Sequence, residues 1–298
     1  IAYETGFKQV YVNTNGLKLS QADYAKSLAG LAYPVFIYLQ FDGLEAKTYS
    51  ALRGSSRLAD VKAQALRNCE TYGLQAVPTM TLTRGVNDHE IGAFLDTATR
   101  SKAVNTVMIQ PAMYSGRYQN LRRLDRITAS DTIELVAQQS NVFERRDFTP
   151  IPCGDPNCFR MALAIRSEKG LVPVSRYFPP YSTWGDAQTA RKLASVSDTF
   201  DNASALSEAL SWSLDSSAVG ELSEEQLDAL LDVVSSAVDQ RDKSGWNGLF
   251  AVGIKPFMDA YTYDQDRIDA CCAHIATRDG SAVSFCQYNA LNRPKGQL

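Results

Sequence analysis

Between residues 7 and 110, short apolar or alternating runs take turns with amphipathic segments, and that alternation limits the chain to a few folds. Residues 7–12 alternate and run into Asn13-Thr14-Asn15-Gly16, the pattern of a strand entering a turn. Residues 34–41 and 75–83 are apolar runs of strand length, as expected for strands buried on both faces, and residues 104–110 form a fourth strand closed by Pro111. Helices are expected over 20–29, with Ser20 as N-cap, over 57–72, ended by Gly73, and over 90–100, opened by Gly85-Val86-Asn87-Asp88. Strand then helix, repeated about every 30 residues, is the pattern of βα units in a parallel sheet. Such sheets bind ligands at the carboxyl ends of their strands. Asn13, Thr14, Asn15, Gln40, Asp42, residues 79–83 and Gln110 should therefore share one rim.

The period breaks after about residue 115. Residues 121–139 read as helical, with Ser130-Asp131 available to start the second half. Residues 148–158 read as a loop bearing Pro and Cys. Further helices are expected over 204–212 and over 223–238, where Ser223 and Gln226 form a capping box. Thr262 or Asp264 should cap a short helix reaching Cys272. Asp279-Gly280 reads as a two-residue hairpin loop, which would pair Arg278 with Ser281 and set Ala273 opposite Cys286. The expected division is residues 1–118, an α/β barrel portion, and residues 119–298, an α-rich region.

The formal net charge is -3 with no basic run, which speaks against a nucleic-acid partner. No stretch approaches the roughly 20 apolar residues of a membrane span, although a membrane-facing groove stays open. Six cysteines are present. Cys69 stands alone on a helical pattern and reads as core. Cys153 and Cys158 form one group, and Cys271, Cys272 and Cys286 a second, with His274 beside it. A chain of this length needs no disulfide frame, so grouped cysteines read as metal ligands. On ligand chemistry alone they suit zinc.

At the rim, Asn, Thr and Gln side chains suit a polar ligand, or simply cap strand ends; for Asn15-Gly16 a turn is the plainer reading. Asp42-Gly43 also reads as a turn. Asp88-His89-Glu90 reads as acids placed at a helix start by the helix dipole, rather than as a metal site.

Several segments resemble a known family. Thr14-Asn15-Gly16, Gln40-Phe41-Asp42-Gly43 with Leu52-Arg53-Gly54, residues 85–92 and residues 107–116 resemble successive strand ends of the radical SAM core. Lys255-Pro256-Phe257-Met258-Asp259, Cys271-Cys272-Ala273-His274 and Phe285-Cys286-Gln287-Tyr288-Asn289 resemble the radical SAM group that contains tetraether lipid synthases and pterin methylases. The resemblance implies the C-terminal part of a partial (β/α)6 barrel and an auxiliary metal-binding region. It implies S-adenosyl-L-methionine held by Asn13, Thr14, Asn15, Gln40, Thr79 and Gln110. It favours an auxiliary 4Fe–4S cluster over zinc at Cys153, Cys158, Cys271, Cys272 and Cys286. It further implies radical chemistry at an unactivated carbon, by methylation or lipid-tail coupling, on a small-molecule or lipid substrate. An electron donor such as ferredoxin or flavodoxin, and a cytoplasmic or membrane-associated location, go with it. The family's CxxxCxxC motif for the catalytic cluster is missing, and the chain opens on Ile1 as if inside a helix, so a truncated enzyme is expected, inactive alone. The alternative from another class is a catalytically inactive binding module with structural zinc.

Overall fold

The first four strands follow the apolar runs. In the computed structural model, which describes residues 1–7, 9–115, 122–150, 155–167, 170–173, 175, 224, 228 and 248–292, these are β1 (Tyr11–Thr14), β2 (Phe36–Gln40), β3 (Ala76–Leu82) and β4 (Thr106–Pro111). They lie parallel, side by side and in chain order. The helices between them are α1 (Ala22–Ala29), α2 (Ala46–Arg53), α3 (Leu58–Thr71) and α4 (Ile91–Arg100). The class is α/β with a mostly parallel sheet, as the alternation predicts.

Strand periodicity then sorts the side chains. Ile37, Leu39, Met80, Leu82, Val107 and Ile109 pack into the main core with Ala65, Leu66 and Cys69 of α3 and Phe94, Leu95 and Ala98 of α4. Tyr38, Gln40, Thr79, Thr81 and Gln110 alternate with them and face the other side. Register aligns Asn13 with Tyr38, Gln40 with Thr79, and Thr81 with Gln110.

After residue 118 the structure differs from the sequence expectation. Helix α5 is Ala129–Gln139, started by Thr128, whose hydroxyl accepts from Asp131 N while the Asp131 carboxylate accepts from Thr128 N. That capping box fixes the start, and residues 123–125 form only a 3-10 turn. Four strands unforeseen in the sequence extend the same sheet: β5 (Thr149–Pro150), β6 (Arg160–Ser167), β7 (Gly170–Pro173) and β8 (Leu249–Ile254). The order is β1-β2-β3-β4-β8-β6-β5, with β7 beside β6. β8 is parallel to β4, and β6 is antiparallel to β8. The helices expected over 204–212 and 223–238 fall outside the described residues, apart from Glu224 and Asp228, both helical.

The C-terminal segment holds α6 (Gln265–Asp269), capped by Asp264, and a hairpin of β9 (His274–Ala276) and β10 (Ala282–Ser284), followed by the short α7 (Phe285–Gln287). The hairpin register corrects the expected one by a residue: Ala276 faces Ala282 and His274 faces Ser284. The loop has three residues, because Thr277 N donates to Ser281 O and Gly280 takes a left-handed φ of 83°. Asp279 accepts from Ser281 N and from the Thr277 and Ser281 hydroxyls, which closes the loop around it. Among the described residues no helix is long and apolar enough to cross a membrane.

Candidate functional site

A charged network occupies the carboxyl ends of β1, β2 and β3. Asp42 follows β2 and is fully buried. Its carboxylate accepts from Arg53 Nε at 2.8 Å and Arg53 Nη2 at 3.0 Å, from Gln40 Nε2 at 2.6 Å and from Thr81 N at 3.1 Å. Arg53 also donates to the Thr81 hydroxyl. Beside it Lys62, on α3, is 1% exposed. Lys62 Nζ donates to Asn15 O, and to Gln40 Oε1 at 3.2 Å. Burial pulls its pKa down to about 8, against the pull of the Asp42 carboxylate. Asp42 is therefore more than a turn residue: it neutralises two cations that reach the rim from α2 and α3.

The expected rim residues divide in two. Tyr38 Oη accepts from Gln110 Nε2 at 2.8 Å and lies within hydrogen-bonding reach of the Thr79 hydroxyl. Burial raises the Tyr38 phenol, so it stays a neutral donor. Gln110 and Thr79 thus stand together on the open face of the sheet, with Asn13 in register beside Tyr38. Thr14 and Asn15 serve the turn, since Thr14 Oγ1 accepts from Gly16 N and Asn15 Oδ1 from Leu17 N. Gly16 is needed there, because φ is 77° and a Cβ would lie 2.9 Å from Leu39 Cδ1. Gln40 is spent inside the network.

The Gly85–Glu90 segment bolts this rim in place. Buried Asn87 donates to Asp42 O at 2.7 Å and Thr81 O at 3.0 Å and accepts from Thr83 N at 2.8 Å, so one amide ties the ends of β2 and β3. Buried Glu90 accepts from Leu44 N, Glu45 N and the Thr48 hydroxyl, capping α2 from across the fold. A Cβ on Gly43 would fall 2.7 Å from the Glu90 oxygens. Glu45, His89 and Glu90 bring three ligand-type atoms within 4.8 Å of one another, but the Glu90 carboxylate is already turned to the two amides just before α2 and to the Thr48 hydroxyl.

Above the rim lies a cleft of about 260 Å³. Arg53, Thr81, Thr83 and Gln110 line one side and Phe257, Phe285 and Asn289 the other. Asp259 fixes the C-terminal side to the loop after β4: fully buried, it accepts from Tyr114 N and Arg126 Nη2 at 2.9 and 2.8 Å.

The cysteines lie behind this cleft. Cys286, the residue after Phe285, is buried and accepts from Met258 N at 3.3 Å. Burial pushes its thiol up, the Met258 N–H opposes the rise, Cys271 and Cys158 add to it, and Arg267 opposes it. Arg267, on α6, donates to Cys158 Sγ at 3.4 Å and reaches the carbonyls of Asn157 and Pro256. Cys272 is disulfide-bonded, Cys153 falls outside the described residues, and Cys69 sits in the main core with burial pushing its thiol up to about 12. His274 is exposed on β9.

No family model matches the chain. A comparison with curated proteins finds a relative. The chain is similar to the 7,8-dihydro-6-hydroxymethylpterin dimethyltransferase of Methanocaldococcus jannaschii. The two are 30% identical over 324 aligned residues, which cover 98% of this chain. The chain spans 63% of the length of this relative.

Several residues of the site escape sequence reasoning. Tyr38 reads as one more apolar strand residue, and only its register with Asn13 sets it at the site. Arg53 falls in a segment noted only for its family resemblance, with no role given, and Lys62 reads as an ordinary charge on a helix face. A signal for Arg53 exists in retrospect: α2 is weakly apolar, and Arg53 stands in its last turn just before Gly54, 11 residues after Asp42.

Proposed function

We propose that this chain forms part of the active site of an enzyme that uses S-adenosyl-L-methionine and iron–sulfur chemistry to methylate a pterin-type ring. The observation that carries the reading is that Arg267 donates to Cys158 Sγ, while the buried Cys286 thiol, in the residue after Phe285 of the cleft, feels the charges of Cys158, Cys271 and Arg267. Similarity to a pterin dimethyltransferase supports methylation over lipid-tail coupling.

The residues present fit an iron–sulfur centre. The donors are sulfurs, and Cys153 or Cys272 in its reduced, thiol form would complete four. A guanidinium and the Met258 N–H are directed at the sulfurs, as suits a group that carries net negative charge. When bound, this centre and S-adenosyl-L-methionine supply one-electron chemistry at an unactivated carbon. The chain's own part is to bind and orient. Asn13, Tyr38, Thr79 and Gln110 offer hydrogen bonds to an adenosyl group on the open sheet face, and the Asp42–Arg53 pair presents a fixed cation at the rim. Phe257 and Phe285 exclude water from the cleft side. A one-electron donor such as ferredoxin or flavodoxin belongs to this reading.

The test is product analysis with the full-length protein containing this chain. Incubated anaerobically with S-adenosyl-L-methionine, a low-potential reductant, a methyl donor and 6-hydroxymethylpterin, it should yield pterin of higher mass by whole methyl groups. Cys286→Ser should abolish that product. Pterin recovered unmodified, from a protein shown to hold iron and sulfide, would contradict the reading.

A further inference from the structure

The rim cleft holds more than a rim of cofactor groups. Its two walls differ in chemistry. On the C-terminal side the rings of Phe257 and Phe285 lie with centroids 4.5 Å apart, and both line the space. On the sheet side stand Arg53, Thr83 and Gln110. Thr83 is the informative one. It is 4% exposed, and its Oγ1 is the one buried side-chain oxygen among the described residues with no hydrogen-bond partner. A buried hydroxyl left unpaired costs free energy, and native folds rarely keep one without a reason. Its backbone N–H is held by the Asn87 side chain, which also ties the ends of β2 and β3, so Thr83 is fixed at the cleft wall.

We propose that this cleft is the seat of the substrate ring, a flat heteroaromatic of pterin type, stacked against Phe285 and recognised along its polar edge by the Thr83 hydroxyl. The inference rests on the methylase reading above and adds the place and the residues. An aromatic wall opposite a polar wall selects a planar molecule whose face is apolar and whose edge carries hydrogen-bonding groups. A lipid tail would meet Arg53, Thr81 and Thr83 with nothing to offer them.

The cleft is also joined to the cysteines. The Cys286 thiol accepts the N–H of Met258, and these two residues directly follow Phe285 and Phe257. One sulfur contact therefore sets the spacing of both rings. Phe285 is here a binding residue, and Cys286 positions it.

The test is a binding titration with the full-length protein, kept anaerobic, using 6-hydroxymethylpterin as the probe and its own fluorescence as the readout. S-adenosyl-L-methionine is titrated separately. Phe285→Ala should weaken pterin binding at least about tenfold, and Phe285→Tyr, which keeps the ring, should bind within about threefold of the parent. Thr83→Val, which keeps shape and removes the hydroxyl, should weaken it about fivefold. S-adenosyl-L-methionine affinity should move less than about twofold in all three. Unchanged pterin affinity in both Phe285→Ala and Thr83→Val would overturn the placement while leaving the methylase reading intact. Equal loss of both ligands would also overturn it. If the parent protein binds S-adenosyl-L-methionine but no pterin, the substrate class fails and this inference with it. Thr83→Val and Phe285→Tyr preserve volume, so a melting curve matching the parent keeps the comparison valid should Phe285→Ala unfold.

Discussion

Replacing Lys62 by methionine removes a cation that the fold keeps almost entirely from water. Burial lowers its pKa from 10.5 to about 8 in the folded chain. Each pH unit of such a shift is worth about 1.4 kcal/mol, so holding the protonated form costs the fold about 3 kcal/mol below pH 8. The sign follows from proton counting. Between pH 8 and 10.5 the unfolded chain binds this proton and the folded chain does not, so stability rises with pH across that window. Methionine keeps the stem and removes the charge. It also removes the hydrogen bonds to Asn15 O and Gln40 Oε1, together worth about 2 kcal/mol at all pH values. Lys62→Met should therefore be about 1 kcal/mol more stable than the parent at pH 7 and about 2 kcal/mol less stable by pH 10.5. Urea unfolding followed by far-ultraviolet circular dichroism, at half-unit pH steps, measures the difference. A difference that stays constant within about 0.5 kcal/mol over this range would refute the reasoning, since other titrating groups cancel between the two proteins.

Asp42→Asn leaves Arg53 and Lys62 without their shared counter-charge and should cost about 3 kcal/mol in the same urea assay; a loss under about 1 kcal/mol would show that solvent, rather than Asp42, satisfies Arg53. Asn87→Ala breaks three buried hydrogen bonds and should cost about 3 kcal/mol, with faster amide exchange at Thr83, whose N–H it releases; unchanged exchange there would contradict the bolt. In protein reconstituted with iron and sulfide, Arg267→Gln should lower the reduction midpoint, because the guanidinium favours the more negative reduced form; an equal or higher midpoint in a redox titration would remove Arg267 from the centre.

Which parts were legible follows from how local their causes are. Strands β2, β3 and β4 are apolar runs bounded by turns and breakers, α3 is stopped by Gly73 and α4 is opened by Gly85-Val86-Asn87-Asp88, so their order and the shared rim could be read directly. Helix α2 was not, because Ala46–Arg53 is weakly apolar and its cap, Glu90, lies about 45 residues away. Strand β8 is a plain apolar run, Leu-Phe-Ala-Val-Gly-Ile, but its partner β4 is more than 130 residues distant, and nothing local says where it inserts. The hairpin register failed by one residue because Thr277 and Ser281 close a three-residue loop around Asp279, a choice made by side-chain hydrogen bonds. At the site, residue types were legible and their roles were not: Gln40 and Asn15 carry the right chemistry but are used internally, whereas Tyr38, Arg53 and Lys62 gain theirs from burial.

The central claim is that these cysteines hold iron and sulfide, and elemental analysis tests it most directly. The protein is expressed and purified without oxygen, reconstituted with iron and sulfide, desalted, and assayed for iron, acid-labile sulfide and zinc, with electron paramagnetic resonance before and after dithionite. The account predicts about four iron and four sulfide per cluster, a signal that appears on reduction, and loss of one cluster's worth of both elements in Cys158→Ser and Cys286→Ser but not in Cys69→Ser. One zinc per chain with no labile sulfide, or iron content indifferent to Cys158 and Cys286, would contradict it.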